Sequence, residues 1–288
     1  MLPPKGFYSY DMRRLFLSMM IGCCLCSSFS ATKISRDEIL LKGLFGRLYK
    51  APSDSARSIL NDSICHQFNA TLSNDSSFQY AFDSLAYLGK IYSTDHKLRI
   101  YSWNYISDTG DYRFFTYFQF STKQLIQLVQ NRPCYLPDEE KIITANNWYG
   151  ALYYNAIPIN RDNQTQYILL GWSHLSESEN FKIIDVLSLK DSTITFGAPI
   201  FNTESRFRMA MPYSSAHSLA LQYDAKRSLF IFNHLHEEGN KDKKIPDESF
   251  SGYQLVNNKL VYKEEVTFDH KEENQPRTKV EYGLEPNK

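Results

Sequence analysis

Two histidines one residue apart, His234-Leu-His236, are the sharpest local candidates for chemistry in this chain. On a strand, side chains at that spacing point to the same face, as metal-ligand pairs often do, and Glu237 or Glu238 would add an oxygen ligand. The competing use is a solvated strand end beside a charged loop. Asp185 and Asp224 lie in strand-like apolar surroundings, where burial would raise a carboxyl pKa. A pair of carboxylates cleaves glycosidic bonds when the two stand about 5 to 9.5 Å apart; hydrogen bonding at a turn is the plainer use. Trp103, Trp148 and Trp172 offer flat faces for stacking on sugar rings, against the ordinary role of a strand tryptophan as core. The chain has no G-x-S-x-G elbow, no H-E-x-x-H, no P-loop and no dinucleotide fingerprint. No catalytic residue is assigned on this basis, and no cofactor is implied.

Cysteine usage adds one structural option. Cys23, Cys24 and Cys26 crowd an apolar N-terminal run, which leaves Cys65 and Cys134 beyond it. In an oxidising compartment these two can pair, closing a loop of about 70 residues worth roughly 4 kcal/mol. The alternative is two separate thiols.

The N-terminal run reads as an export signal. Arg13 and Arg14 precede an apolar stretch from Leu15 to about Cys26, and Ser28 and Ser30 fit the small residues of a cleavage site. About a dozen apolar residues fall short of the roughly 20 that a spanning helix needs. A signal peptide over residues 1–30 is expected, with translation starting at Met1 or Met12. Met20-Ile-Gly-Cys23 also resembles the lipobox of bacterial lipoproteins, so lipidation at Cys23 stands beside plain cleavage. Removing residues 1–30 takes out Lys5, Arg13, Arg14 and Asp11, which leaves 29 basic and 31 acidic residues. That balance gives no electrostatic reason to expect nucleic acid as a partner, and a membrane only through a lipid anchor.

The elements that must position these residues fall into two kinds. Leu40, Leu41, Leu44, Phe45 and Leu48 recur at helical spacing after Ser35 and Glu38, which have the spacing of a capping box. A second helix carries Ala56, Ile59, Leu60, Ile64 and Phe68 on one face. From Ala86 the pattern turns to short aromatic-rich strands separated by polar turns, in a chain with 20 Tyr and 19 Phe. The strands group near Leu88, Trp148 and Phe207. Without βαβ alternation they predict antiparallel meanders, as a curved sheet, sandwich or irregular barrel. Trp148 to Tyr154 is apolar on both faces and reads as a central strand. Residues 31–85 are expected to be a helical segment packed on the sheet, residues 86–270 the β domain, and 271–288 a disordered tail.

Several phrases resemble a family of exported bacterial proteins with no established function. They are Ser93-Thr-Asp-His-Lys-Leu-Arg-Ile-Tyr-Ser-Trp103, Trp148-Tyr-Gly-Ala-Leu-Tyr-Tyr154, Leu169-Leu-Gly-Trp172, Lys182-Ile-Ile-Asp-Val-Leu187, Phe196-Gly-Ala-Pro-Ile-Phe201, Phe230-Ile-Phe-Asn-His-Leu235 and Pro246-Asp247. The resemblance implies an exported, mostly antiparallel β protein, and carries no catalytic residue across. In that family an Asp stands where this chain has Asn233, so any ligand or acid role there is not transferred. The sequence therefore points to an exported protein of the periplasm, outer membrane or extracellular space. A non-enzymatic module binding a glycan, peptide or envelope protein is the first expectation. A hydrolase acting on envelope or dietary polymers is the second.

Overall fold

The computed structural model describes residues 33–161, 163–202, 205–237 and 244–267. The expected signal peptide, the lipidation site at Cys23 and the expected disordered tail lie outside the described residues. The chain folds as two compact units, one of 33–50 with Ser58–Leu85, the other of Ala51–Arg57 with 86–267.

The first unit is built on α1 (33–48) and on α2 (Asp54–Leu72) from Ser58 onward. Leu41, Phe45 and Leu48 of α1 and Ile64 and Phe68 of α2 are buried, with Phe45 edge-on to Phe68 at 6.2 Å between centroids. The Ser35–Glu38 capping box is not formed. Ser35 already lies inside the helix, and Glu38 instead accepts from the Tyr80 hydroxyl at 2.7 Å and the Ser84 amide at 2.7 Å. A short 3-10 turn, Asp75–Gln79, follows, its Ser76 amide met by the Asn74 side chain. No helix among the described residues is long and apolar enough to cross a membrane.

Among the described residues the second unit is mainly β, in three antiparallel sheets with no closed barrel. The first is a meander of β1 (Gly89–Tyr92), β2 (Leu98–Ile106), β3 (Tyr112–Phe120) and β4 (Leu125–Val129). The second comprises β5 (Ile143–Thr144), β6 (Leu152–Arg161), β7 (Gln164–Ser176), β8 (Glu179–Lys190), β9 (Thr193–Phe196) and β10 (Met209–Ser214). Its hydrogen-bonded order is β5-β9-β8-β7-β6, and β10 joins the part of β8 that β9 leaves open. The third is β11 (Leu221–Asp224), β12 (Leu229–Glu237), β13 (Lys244–Val256) and β14 (Lys259–Lys263), paired in sequence order.

Two corrections to the sequence reading follow. The residues near Phe207 belong to the second sheet through β10 and do not start the third. Trp148–Ala151 precede the strand, and β6 ends the hydrogen-bonded order instead of sitting at its centre.

The second sheet forms the middle of this unit and is buried on both faces, so its strands lack a polar side. Along β7, Tyr167 and Leu169 enter one core with Leu98, Ile100, Phe114 and Phe118 of the first sheet. Ile168 and Leu170 enter another core with Phe230, Phe232 and Tyr253 of the third. This alternation is the pleat read twice. Truncating a residue such as Leu169 to Ala would cost about 2–5 kcal/mol, because neither core can collapse onto the gap.

Candidate functional site

Asp185 occupies the position where β8 should present another apolar side chain. Phe181, Ile183 and Leu187 of the same strand face lie in the first core, and Asp185 stands between the last two, fully buried. It is held by its own network. Arg208, also fully buried, donates through Nε to Asp185 Oδ2 at 3.0 Å. Its Nη2 donates to the Phe196 carbonyl at 2.8 Å, and its Nη1 to the carbonyls of Lys141 and Asp138. Tyr149 donates to the same carboxyl oxygen at 3.1 Å, and the Val186 amide donates to Oδ1 at 2.8 Å.

Because the carboxylate only accepts and an indole only donates, the outer chain has one polarity. Trp148 Nε1 donates to Tyr153 at 2.9 Å, Tyr153 to Tyr149 at 3.1 Å, and Tyr149 to Asp185. Burial pushes the Asp185 carboxyl up from its ordinary range, while Arg208, the Val186 amide and the Tyr149 hydroxyl oppose the shift. The expected buried carboxylate is present. Every oxygen is nevertheless satisfied and none reaches solvent, so the group is built for holding structure together.

Local sequence makes room for this network. Gly171 lies where a Cβ would come within 3.1 Å of the Tyr153 ring. Gly197 has φ +101°, and a Cβ there would fall 2.6 Å from Arg208 Nη2. Tyr153 then stacks on Phe196, 6.4 Å between centroids and 10° between planes.

Asp224 differs from the expectation. It sits at the β11–β12 turn, partly exposed, accepting from the amides of Lys226 (2.9 Å) and Arg227 (3.2 Å) and from Arg227 Nε at 2.6 Å. The Arg227 hydrogen bond lowers its pKa instead of raising it. Asp185 and Asp224 have separate sets of partners and form no carboxylate pair.

His234 lies in an irregularity of β12 between Asn233 and Leu235, whereas His236 is in regular register with Ile245. His234 is bracketed by two β13 hydroxyls, Ser249 against Nδ1 at 2.7 Å and Ser251 against Nε2. Ser249 donates a hydrogen bond to Asp247 at 2.6 Å, and Ser251 to the Glu264 carbonyl at 2.6 Å. His236 Nδ1 stands 3.9 Å from Asp247 Oδ2. The exposed Ser249 hydroxyl thus links His234 to Asp247 while the buried Ser251 is committed to the Glu264 carbonyl, a Ser251–His234–Ser249–Asp247 chain in place of the direct Ser–His–Asp contacts of a hydrolase. Glu237 is exposed and Glu238 lies outside the described residues. No three His, Cys, Asp or Glu side chains converge as a metal site among the described residues. Asn233 uses both ends of its amide, accepting from Ala220 N at 2.7 Å and donating to Asp247 O at 2.8 Å. An aspartate at that position could not make the second bond.

Of the three tryptophans, Trp103 and Trp148 are 0% and 1% exposed. Trp103 stacks between Phe115 and Tyr117, and neither it nor Trp148 offers a face to a sugar. Trp172 is half-buried, edge-on to Tyr112 and Phe114, and His174 stacks on Tyr112 at 4.2 Å. The Cys65–Cys134 disulfide is not formed. Cys65 takes a hydrogen bond from Asn61 at 3.7 Å. Cys134 takes one from Gln130 at 3.2 Å and faces the Tyr112 carbonyl.

The sequence reading missed an open groove of about 960 Å³ in the helical unit. Ile39, Leu40, Gly43, Leu44 and Arg47 of α1 line one wall, and Ile59, Asp62, Ser63, His66 and Gln67 of α2 the other. Ile39, Leu40 and Ile59 are 67%, 57% and 65% exposed. Periodicity had assigned Leu40 and Ile59 to the buried faces, but Leu41, Phe45, Ile64 and Phe68 already fill them. The one available signal was an apolar stripe too wide for a single contact face, with Ile39, Leu40 and Leu41 adjacent.

No family model matches the chain, and neither a curated protein nor a solved structure matches it significantly.

Proposed function

We propose that this protein is an exported, non-enzymatic binding module of the cell envelope or secreted space. In this reading the groove between α1 and α2 holds a peptide or a segment of a partner protein. The observation that carries it is the convergence of Ile39, Leu40 and Ile59, three large exposed aliphatic side chains, on one concavity. Scattered exposed aliphatics are ordinary on a protein surface, whereas several rimming one groove with polar neighbours mark an interaction site. The export signal in residues 12–30 and the resemblance to exported bacterial proteins support the location. The burial of Trp103 and Trp148 leaves a glycan only Trp172, so the peptide or protein version is favoured. Asp185, Asp224 and His234 each keep a separate set of partners, and no observation favours hydrolysis.

The test is site-specific photo-cross-linking in the producing cell, with a benzophenone amino acid at position 40 or 59. A discrete adduct that disappears when Ile59→Asp is combined with the probe at position 40 is expected. Cross-linking no stronger than from a probe at exposed Lys123, outside the groove, would overturn the proposal.

A further inference from the structure

The walls of the groove carry charge in a pattern that restricts its occupant. Every exposed charged residue on α1 is basic: Arg47 lines the groove, Arg36 lies on the same stripe of the helix, and Lys33 and Lys42 lie outside the lining. Its two carboxylates, Asp37 and Glu38, are buried, and Glu38 is already engaged by Tyr80 and Ser84. Arg36, Leu40, Gly43 and Arg47 follow i, i+4, i+7, i+11 spacing, so one stripe of the helix runs guanidinium, aliphatic, gap, guanidinium. α2 adds one carboxylate, Asp62, and the imidazole of His66 on the far wall. Gly43 supplies the gap, since a Cβ built there would meet no atom within 4 Å.

We infer, building on the binding-module reading, that the occupant is an acidic amphipathic helix. Its apolar face would lie against Ile39, Leu40 and Ile59, one bulky side chain would enter above Gly43, and its carboxylates would meet Arg36 and Arg47. Helix-in-groove recognition uses this combination of spaced apolar anchors and flanking charge. The concavity suits a rod better than a bilayer, which needs protruding apolar residues. A second copy of this chain fits poorly, because Arg36 and Arg47 would meet only one groove-lining carboxylate, Asp62, on the other copy's α2.

Two designed 18-residue helical peptides with the same leucine stripe, one carrying glutamates elsewhere and one lysines, would be titrated into the full chain by fluorescence anisotropy. The acidic peptide is expected to bind at least tenfold more tightly. Arg36→Glu with Arg47→Glu should reverse that preference, and Gly43→Leu should weaken the acidic peptide at least tenfold. The Gly43→Leu chain should melt no lower than the parent, because leucine favours helix over glycine and meets empty space. Equal binding of the two peptides, or full binding to Gly43→Leu, would overturn the inference. So would comparable binding to vesicles of 30% phosphatidylglycerol, or self-association that buries the groove. If neither peptide binds while position 40 still cross-links a partner, the acidic helix is wrong and the module stands. If cross-linking also fails, both fall.

Discussion

Replacing Asp185 by Asn tests whether the buried network holds the central sheet. The change keeps the shape of the side chain and removes its charge, leaving the Arg208 guanidinium buried opposite no anion. It also creates a donor conflict whichever way the amide turns. With its oxygen toward Arg208 and Tyr149, its NH₂ faces the Val186 amide; flipped, the NH₂ faces Arg208 Nε and the Tyr149 hydroxyl. Removing one partner of a buried pair costs about 3–5 kcal/mol. At about 2–4 °C per kcal/mol for a domain of this size, the unfolding midpoint should fall by roughly 6–20 °C at pH 7. Near-ultraviolet circular dichroism is the suitable assay, because Trp148, Tyr149 and Tyr153 report on the same chain of hydrogen bonds. Arg208→Met should cost as much, since it strips three carbonyls of their donor as well as the carboxylate. The Asp185→Leu, Arg208→Met double variant should cost less than the sum of the two singles by about 2–3 kcal/mol. Acid should not selectively break the pair. A carboxyl whose folded pKa is raised keeps its proton more readily in the folded chain, so its contribution favours folding at low pH and declines as pH rises through the raised value. A shift below about 3 °C for Asp185→Asn would mean that the three carbonyls alone position Arg208, and the reasoning would fail.

Two further perturbations probe the same unit. Gly197→Ala puts a Cβ 2.6 Å from Arg208 Nη2 at φ +101°, and the strained backbone alone is worth about 1–3 kcal/mol. Its denaturant midpoint should therefore fall at unchanged slope, and an unchanged midpoint would refute the clash. His174 is held below its ordinary pKa first by burial, against the opposing pull of Asn180, Asp111 and Glu177. Below about pH 6.5 the unfolded chain binds the proton more readily, so stability should drop between pH 7.5 and 5.5. The drop should shrink in His174→Phe, which keeps the stack on Tyr112, and an identical drop in both chains would count against the assignment.

The sequence made some parts of this fold readable and hid others for identifiable reasons. The strand Tyr112–Phe120 is legible in the sequence, because its aromatics are bounded by polar turns on both sides. The antiparallel class followed from hairpin-length links. The placement of β10 was not readable, because it depends on pairing with β8 some 25 residues earlier, across β9. Asp185 stood out as a carboxylate inside an apolar strand, but its counter-ion lies 23 residues away in a stretch with no marker of burial. Ser35 and Glu38 have the right spacing for a cap, yet tertiary partners at Tyr80 and Ser84 claim the glutamate. Helical periodicity identified which residues are apolar in α1 and α2. It could not say that the inner face would be filled before Ile39, Leu40 and Ile59 were needed.

The energetics of those three side chains set the kind of binding the groove can support. Full burial of one such side chain is worth about 1.5–3 kcal/mol, so three supply roughly 4–9 kcal/mol. Association itself costs about 4–15 kcal/mol in lost freedom before any contact is counted. The aliphatic anchors alone would therefore yield at best a millimolar complex, near −4 kcal/mol. Exposed guanidinium–carboxylate pairs add about 0.2–1 kcal/mol each, and a side chain seated over Gly43 adds another buried anchor. Together these terms reach the micromolar range near −8 kcal/mol only when the aliphatic, charged and Gly43 contacts are made at once. Losing one charged pair should then weaken the complex by up to about fivefold, and losing one fully buried anchor by roughly tenfold or more. Charge reversal and groove filling should for that reason each be visible alone, and titrations must extend to hundreds of micromolar peptide. A peptide that binds tightly with the charges removed would show that the groove recognises apolar surface by itself.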